Sequence, residues 1–378
     1  MLVKGRINSG QKIGGDILSI VEKIPHLKKL GVDVEIDIKG NKSSKYFDIV
    51  HLQQSLFNSY ELFCHLKEAH FYKKPVVLKP LYNSIEDTKI YMRYGQTKKI
   101  GQLYNLLNNH NAYIKIREVF YSLFYKNFKN IIKKVLSNYF KMQINILNNS
   151  YLIPDSHMEI KTINKEFNIN INNYSVVCNS LNINNELNGV PSSLFFNKYK
   201  IKEFVLCAGR IEPLKNQVNL LEALIGSKLS VVICGSSFPY HKKYNNTFKE
   251  LIKNNSNFIW LGYLDRKMLI SALKNAHVVA IPSWSEVSPA LGIEGGYYDC
   301  NIVTTNRGYG KEYFKDNAWY LDPNDRESIK RAVLDAYNSP KGCRSFKERI
   351  SSDYSLQTTS QQLFNAYCEA LGRSNNQL

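Results

Sequence analysis

Between Pro282 and Glu294 the chain reads PSWSEVSPALGIE, and two carboxylates, Glu286 and Glu294, stand there with seven residues between them. The apolar run HVVAIPS just before it reads as a strand. Ser288 is a good N-cap, Pro289 suits a first helical position, and Ala290 to Glu294 continue the helix. A carboxylate at a strand tip, then a helix N-terminus offering the backbone N–H groups of Ala290 and Leu291, fits a molecule that carries both hydroxyls and phosphates. Glu286 would meet hydroxyls at the strand tip. Glu294, about a turn and a half into the helix, would meet a second polyol further along. A sugar nucleotide has that order of groups. Two glutamates at this spacing are a common accident when met alone; the strand–turn–helix context and the loop upstream carry the functional reading.

That loop lies in FVLCAGRIEPLKNQ, residues 204–217. A buried-type strand (FVLCA) runs into Gly209, and Arg210 and Lys215 follow before the helical pattern QVNLLEALIG. The glycine lets backbone approach a ligand closely. A guanidinium fork and a mobile ammonium in one loop suit a diphosphate. In open α/β sheets such loops, at the C-terminal ends of strands, line the ligand crevice. Taken singly, Arg210 is also compatible with a surface ion pair, and Lys215 with an ordinary loop lysine.

GRIEPLKNQ followed about 75 residues later by EVSPALGIE resembles glycosyltransferase family 4, the group 1 glycosyl transferases, which are retaining enzymes of GT-B fold. The resemblance implies an α/β chain of two Rossmann-like, doubly wound parallel-sheet domains facing a central cleft. It implies that Arg210 and Lys215 hold the donor diphosphate, that Glu286 contacts the donor sugar, and that Glu294 contacts the nucleotide ribose. Elsewhere the likeness is looser. KIGGD, with Gly14 and Gly15, resembles the family's N-terminal glycine loop, although two glycines there also suit a plain helix-opening turn. DIVHLQ and KPVVLKPLY resemble its next two strand ends, YSVVCNSLN its interdomain strand, and TTNRGYGKEYFKDNAWYLDP its last sheet segment. The family often places a histidine after the strand in the KPVVLKPLY region; Leu81 and Tyr82 stand there instead, which implies a different acceptor class or an acceptor site built from other residues. Pro25 falls inside the expected first helix and should kink or break it.

The elements that must position these residues are legible in the second half. From residue 204 the strand patterns FVLCAG, SVVICG, NFIWLG, HVVAIPS, NIVTTN and AWYLD alternate with helical patterns over 217–226, 241–254, 265–276, 289–299, 310–315 and 325–338. Short apolar strands alternating with amphipathic helices mean a parallel sheet covered on both faces. The first half repeats this less cleanly, with candidate strands LVKGRI, VDVEID, DIVHL, PVVLK, YLIPDS and YSVVC. The expected domains are 1–182, binding the acceptor and completed by a C-terminal helix over 354–372, and 183–353, binding the nucleotide sugar. An Asn-rich stretch broken by Pro191 reads as the linker. Among lesser candidates, His51 reads as a strand-end structural group, Lys79 as a possible phosphate or acceptor contact, and Arg307 and Tyr309 as neighbours of the donor.

Composition sets the limits. At 378 residues the chain is long enough for two cores. Seven cysteines are scattered with no Cys-x-x-Cys, several of them in apolar strand runs, and read as reduced residues rather than a disulfide frame or a zinc site. No stretch has the length and apolarity of a membrane span, and the N-terminus lacks a signal-type run, so a cytoplasmic location is expected. Fifty Lys+Arg against 32 Asp+Glu give a net charge of +18. Part of that excess falls in 113–142, where apolar pairs at 119/120, 123/124, 131/132, 135/136 and 139/140 recur beside Lys126, Lys129, Lys133, Lys134 and Lys141. Such a helix suits the anionic inner face of a membrane, where a lipid-linked acceptor would be presented. It suits equally an ordinary helix whose aromatic stripe is core and whose lysines are solvated.

No Asp-x-Asp pair sits at a strand end, so no metal cofactor is expected. Arg210, Lys215 and the helix N-terminus would stabilise a departing UDP or GDP. The resemblance implies a retaining, front-face transfer in which the leaving phosphate helps take the acceptor proton. The reading with most support is therefore transfer from a nucleotide sugar to a glycan or lipid-linked acceptor, in bacterial surface polysaccharide synthesis (O-antigen, capsule or exopolysaccharide). Two others compete: an inert scaffold of the same fold, opposed by the intact Arg210, Lys215, Glu286 and Glu294, and a nucleic-acid binder, opposed by widely spread basic residues with no recognition motif.

Overall fold

A computed structural model describes residues 1–5, 15–38, 40–95, 112, 114–115, 138–181, 188–237 and 241–375. The chain divides into two compact units, one of Met1–Ile85, Gln102–Ser180 and Leu356–Leu378, the other of Glu86–Gly101 and Leu181–Ser355.

The first unit is built on a parallel sheet of β1 (Leu2–Lys4), β2 (Glu35–Asp37), β3 (Val50–Gln53), β4 (Val76–Lys79) and β5 (Tyr151–Leu152), in the order β2-β1-β3-β4-β5. Both faces are apolar because both are covered. Val76 and Leu78 join a core with Leu62, Leu66 and Ile163, while Val77 between them joins another with Val3, Ile20, Leu27 and Leu363. The C-terminal helix Leu356–Asn375 contributes Leu363, Ala366, Tyr367 and Ala370 to that second core. Pro25 does break the first helix: Gly15–Val21 ends, and Ile24–Lys29 begins with the proline in its first turn, where a missing N–H costs no hydrogen bond. The expected strand YSVVC is not one; only Tyr174 forms an isolated bridge, to Leu152.

The second unit carries β6 (Phe204–Ala208), β7 (Val231–Cys234), β8 (Phe258–Trp260), β9 (Ala276–Ile281), β10 (Asn301–Thr305) and β11 (Trp319–Leu321), all parallel, in the order β11-β10-β9-β6-β7-β8. Val205, Cys207, Val231, Ile233, Val278 and Ala280 point into one core. The alternate residues Leu206, Val232 and Val279 are fully buried on the other face. Adjacent strands β6 and β9 send their connections to opposite sides, so the loops that follow them flank a crevice at the topological switch point, where α/β sheets bind ligands. The stretch read as a linker holds an unforeseen helix, Ser193–Tyr199, with Phe195 buried and its N–H donating to Ser271 Oγ at 2.8 Å.

Among the described residues no helix is long and apolar enough to cross a membrane. Most of the basic segment 113–142 lies outside the described residues. Its last part opens the helix Tyr139–Asn148, capped by the Asn138 side chain accepting from Lys141 N, with Tyr139 fully buried. Cys207, Cys234 and Cys300 are buried thiols, Cys178 is half-buried, and Cys64, Cys343 and Cys368 are exposed.

Candidate functional site

The loops after β6 and β9 meet around a cavity of about 140 Å³ whose lining includes Lys215, Gln217, Ser283, Glu286, Ala290 and Leu291. Residues Pro213–Lys215 form one 3-10 turn, ended by Asn216 in the left-handed conformation (φ 58°). The buried Asn216 amide donates to Pro282 O at 3.0 Å and Pro323 O at 2.8 Å, tying the loop after β6 to those after β9 and β11. Trp284 N–H, donating to Leu214 O at 3.0 Å, adds a second tie. These ties set Lys215 opposite Glu286.

Lys215 Nζ lies 2.7 Å from Glu286 Oε1, and Ser283 Oγ donates to the same oxygen at 2.5 Å. Burial alone would depress the Lys215 ammonium, but the Glu286 carboxylate against it carries its pKa above the ordinary lysine value. Glu286 is itself buried. Its backbone is gripped as well: its carbonyl accepts from Tyr309 N at 2.9 Å, in a bridge that pairs Glu286 with Gly308.

The helix Ala290–Tyr297 starts one residue later than expected. Pro289, not Ser288, is its N-cap, and no side chain caps it. Ser288 instead offers its carbonyl to Ala290 N at 3.0 Å. Pro289 has ψ 62°, outside the helical range, so the helix begins at the next residue.

Of the other expected residues, Arg210, Glu294, Arg307 and Tyr309 do not line the cavity. Arg210, its side chain 63% exposed, pairs with Glu212 at 3.0 Å and does not line the cavity. Its carbonyl accepts from Gln217 Nε2 at 2.8 Å, so the backbone of this loop is fixed although the guanidinium is in solvent. Glu294 lies on the helix beyond the cavity lining, both its oxygens 2.8 Å from Arg266 Nη1. Gly15 opens the helix Gly15–Val21 in the first unit, and Gly14 lies outside the described residues. Arg307 sits between Asp87 and Asp322, at 3.8 and 3.7 Å, and Tyr309 is buried.

In the first unit, Lys79 is engaged internally, 2.8 Å from Asp155 and donating to Val177 O at 2.6 Å. His51, fully buried, pairs through Nδ1 with Tyr367 Oη at 2.8 Å; burial and the nearby Lys79 charge push its pKa down to about 3, so it stays neutral. Tyr82 is buried too, its N–H on Glu159 Oε1 at 2.7 Å and its hydroxyl on Glu166. Leu81 holds a left-handed backbone (φ 44°) at the strand end.

Sequence reasoning missed Ser283, Asn216 and Asp87. Asn216 has a signal in hindsight, an asparagine between a turn and a helix. Asp87 has none, since its partners Ser285 and Gly308 lie 198 and 221 residues further along the chain.

Residues 194–353 match the family described as Glycosyl transferases group 1. No curated protein sequence matches the chain. Among solved structures, Alr3699/HepE of Anabaena in complex with UDP and glucose superposes with a TM-score of 0.66 at 13% identity, covering 97% of this chain and 99% of that one. Sucrose-phosphate synthase of Thermosynechococcus elongatus gives 0.64 at 13%, covering 98% and 99%. The lipopolysaccharide outer core galactosyltransferase WaaB gives 0.61 at 13%, covering 97% and 98%. At such identities the likeness speaks for the fold. The parallel order of the two sheets, the loops at the switch point and the superpositions converge on the GT-B fold, within which residues 194–353 resemble the group 1 glycosyl transferases.

Proposed function

We propose that this protein is a retaining, metal-independent glycosyltransferase that moves a sugar from a UDP- or GDP-linked donor to a glycan or lipid-linked acceptor. The observation that carries the reading is the Lys215–Glu286 pair at 2.7 Å, held at the switch point beside a helix N-terminus. The buried Glu286 carboxylate and the half-buried Lys215 ammonium neutralise one another, so neither charge is left unpaired. A donor would separate them, drawing Lys215 and Arg210 to the diphosphate and leaving Glu286 to the sugar hydroxyls. The N–H groups at Ala290 and Leu291 would add to the positive field at the leaving group, and Glu294 would turn from Arg266 to the ribose. In the retaining reaction the sugar–phosphate bond breaks with its electrons going to the nucleoside diphosphate. The acceptor oxygen attacks from the same face, and its proton passes to the departing phosphate.

Several neighbours are named for carbohydrate work, one of them for the lipopolysaccharide outer core. That favours a role in bacterial surface polysaccharide synthesis. A cytoplasmic enzyme resting on the inner membrane face through 113–142 would meet such an acceptor. Binding to anionic vesicles, abolished by neutralising Lys126, Lys129, Lys133 and Lys134, would support that docking.

The first test is thermal unfolding with a panel of UDP and GDP sugars, on the wild type and on Glu294→Ala. A melting shift with one nucleotide, lost or reduced in the variant, is expected. No shift with any sugar nucleotide or free nucleoside diphosphate would refute the donor site and favour an inert scaffold.

A further inference from the structure

The segment Glu86–Gly101 lies in the first third of the sequence yet belongs to the second unit. Its described part holds the end of a short helix (Ile85–Ile90) and a wide π-type turn (Tyr91–Gly95). The turn packs against the Pro213–Lys215 turn, and the Tyr91 ring stands 6.5 Å from that of Trp284. Gly95 is so close to Trp284 that a Cβ there would come within 2.8 Å of its indole nitrogen.

Asp87 is the polar centre of this contact. Its Oδ2 accepts from Gly308 N at 3.0 Å and from Ser285 Oγ at 3.3 Å, while Arg307 stands 3.8 Å from Oδ1. Ser285 precedes Glu286 in the chain, and Gly308 forms the bridge whose next residue, Tyr309, donates to the Glu286 carbonyl. One carboxylate oxygen therefore joins the loop after β9 to the loop after β10, on both sides of the Glu286 backbone. The Asp87 side chain is 13% exposed, so its charge is largely withdrawn from water and depends on these donors. The Glu286 side chain is held at its tip by Lys215 and Ser283; Asp87 holds its root. If a donor draws Lys215 away, the Ser283 hydroxyl at the tip and the grip at the root remain to aim the carboxylate.

We propose that Asp87 is a positioning residue for the donor sugar: it fixes the Ser285–Glu286 and Gly308–Tyr309 backbone so that Glu286 keeps its aim once Lys215 has turned to the diphosphate. The inference rests on the donor-site reading above. It separates two parts of the ligand. The sugar would be read through Asp87 and Glu286, and the diphosphate and ribose through Arg210, Lys215 and Glu294.

The test is isothermal titration of wild type, Asp87→Ala and the near-isosteric Asp87→Asn with UDP, UDP-glucose, GDP and GDP-mannose, alongside thermal unfolding. For the pair that binds the wild type, Asp87→Ala should weaken the sugar nucleotide at least tenfold while free nucleoside diphosphate stays within twofold. Asp87→Asn, which keeps one acceptor oxygen for Gly308 N–H, should fall between, and it carries the test if the alanine variant does not fold. Equal weakening of sugar nucleotide and nucleoside diphosphate would mean a merely structural role and overturn the proposal, as would no change in either. Binding of none of the four by the wild type would instead bring down the donor-site reading, and this inference with it.

Discussion

Gly308→Ala probes the geometry behind Glu286 with a single methyl group. Gly308 has φ +78°, and a Cβ built on it would lie 2.2 Å from the Glu286 carbonyl oxygen and 2.8 Å from its nitrogen. Two costs follow. A left-handed backbone costs a non-glycine residue about 1–2 kcal/mol. The contact must also open by about 1 Å to reach an ordinary distance, and overpacking of that kind costs about 1–3 kcal/mol. A loss of about 2–5 kcal/mol should lower the melting temperature by roughly 4–20 °C at about two to four degrees per kcal/mol. Gly226→Ala is the internal control: it shares φ +78° but has nothing within 4 Å of its Cβ, so it isolates the backbone cost. It should lose only about 1–2 kcal/mol, and the difference between the variants measures the clash. Because backbone is on both sides, the displacement must pass to Glu286 itself. A 1 Å misplacement of a reacting group can cost about 100-fold in rate, so sugar-nucleotide turnover should fall by about that factor while nucleoside diphosphate affinity holds. Equal melting temperatures for the two glycine variants, with turnover intact in Gly308→Ala, would refute the close approach and the role of this backbone in aiming Glu286.

Two further outcomes test the first unit. Lys23, buried and beside the charge of Lys79, has its pKa lowered to about 7, and its amine donates to Ser19 O and Ser180 Oγ at 3.2 and 3.1 Å. The unfolded chain holds a proton on this amine up to its ordinary value near 10.4, so between pH 7 and 10 stability should rise with pH by up to about 1.4 kcal/mol per unit. Below pH 7 both states are protonated and the slope vanishes. Lys23→Met should lack this contribution, so its stability relative to wild type should fall steadily from pH 7 to 10 in denaturant titrations; a constant difference would contradict the buried amine. Glu159 accepts from Tyr82 N and Asp155 N, both at 2.7 Å, and burial with Asp155 beside it pushes its carboxyl up to about 8. Glu159→Gln sets an NH₂ group against one of those N–H donors, whichever way the amide turns, and should cost about 1–3 kcal/mol in denaturant unfolding; a cost below about 0.5 kcal/mol would show that the two N–H groups have other acceptors.

What the sequence made legible, and what it hid, follows from how far each signal reaches along the chain. The strands of the second unit were plain because their burial on both faces makes them continuous apolar runs, and each helix between them carries its own period. Lys215 and Glu286 were legible for a related reason: each closes a strand–loop–helix unit, and strand order at a switch point puts two such loops together. YSVVC failed because an apolar run specifies burial before it specifies pairing. Val177 is buried against Ile153 and Leu363, yet the chain there bonds to its neighbours through single contacts such as Ser175 N on Leu152 O and Val177 N on Pro154 O. Ser288 failed for a finer reason: Pro289, which suits a first helical position, instead holds ψ 62° and takes the cap position itself, so the helix starts one residue later. Asp87 was beyond reach altogether. It is one acid in an unremarkable stretch, SIEDTKI, and its meaning lies in a backbone N–H from a glycine 221 residues away. Local pattern thus picks out groups on the loops at strand ends, because each such loop carries its own signal. The groups that hold those loops in place are chosen by tertiary contact, and only the folded chain brings them into view.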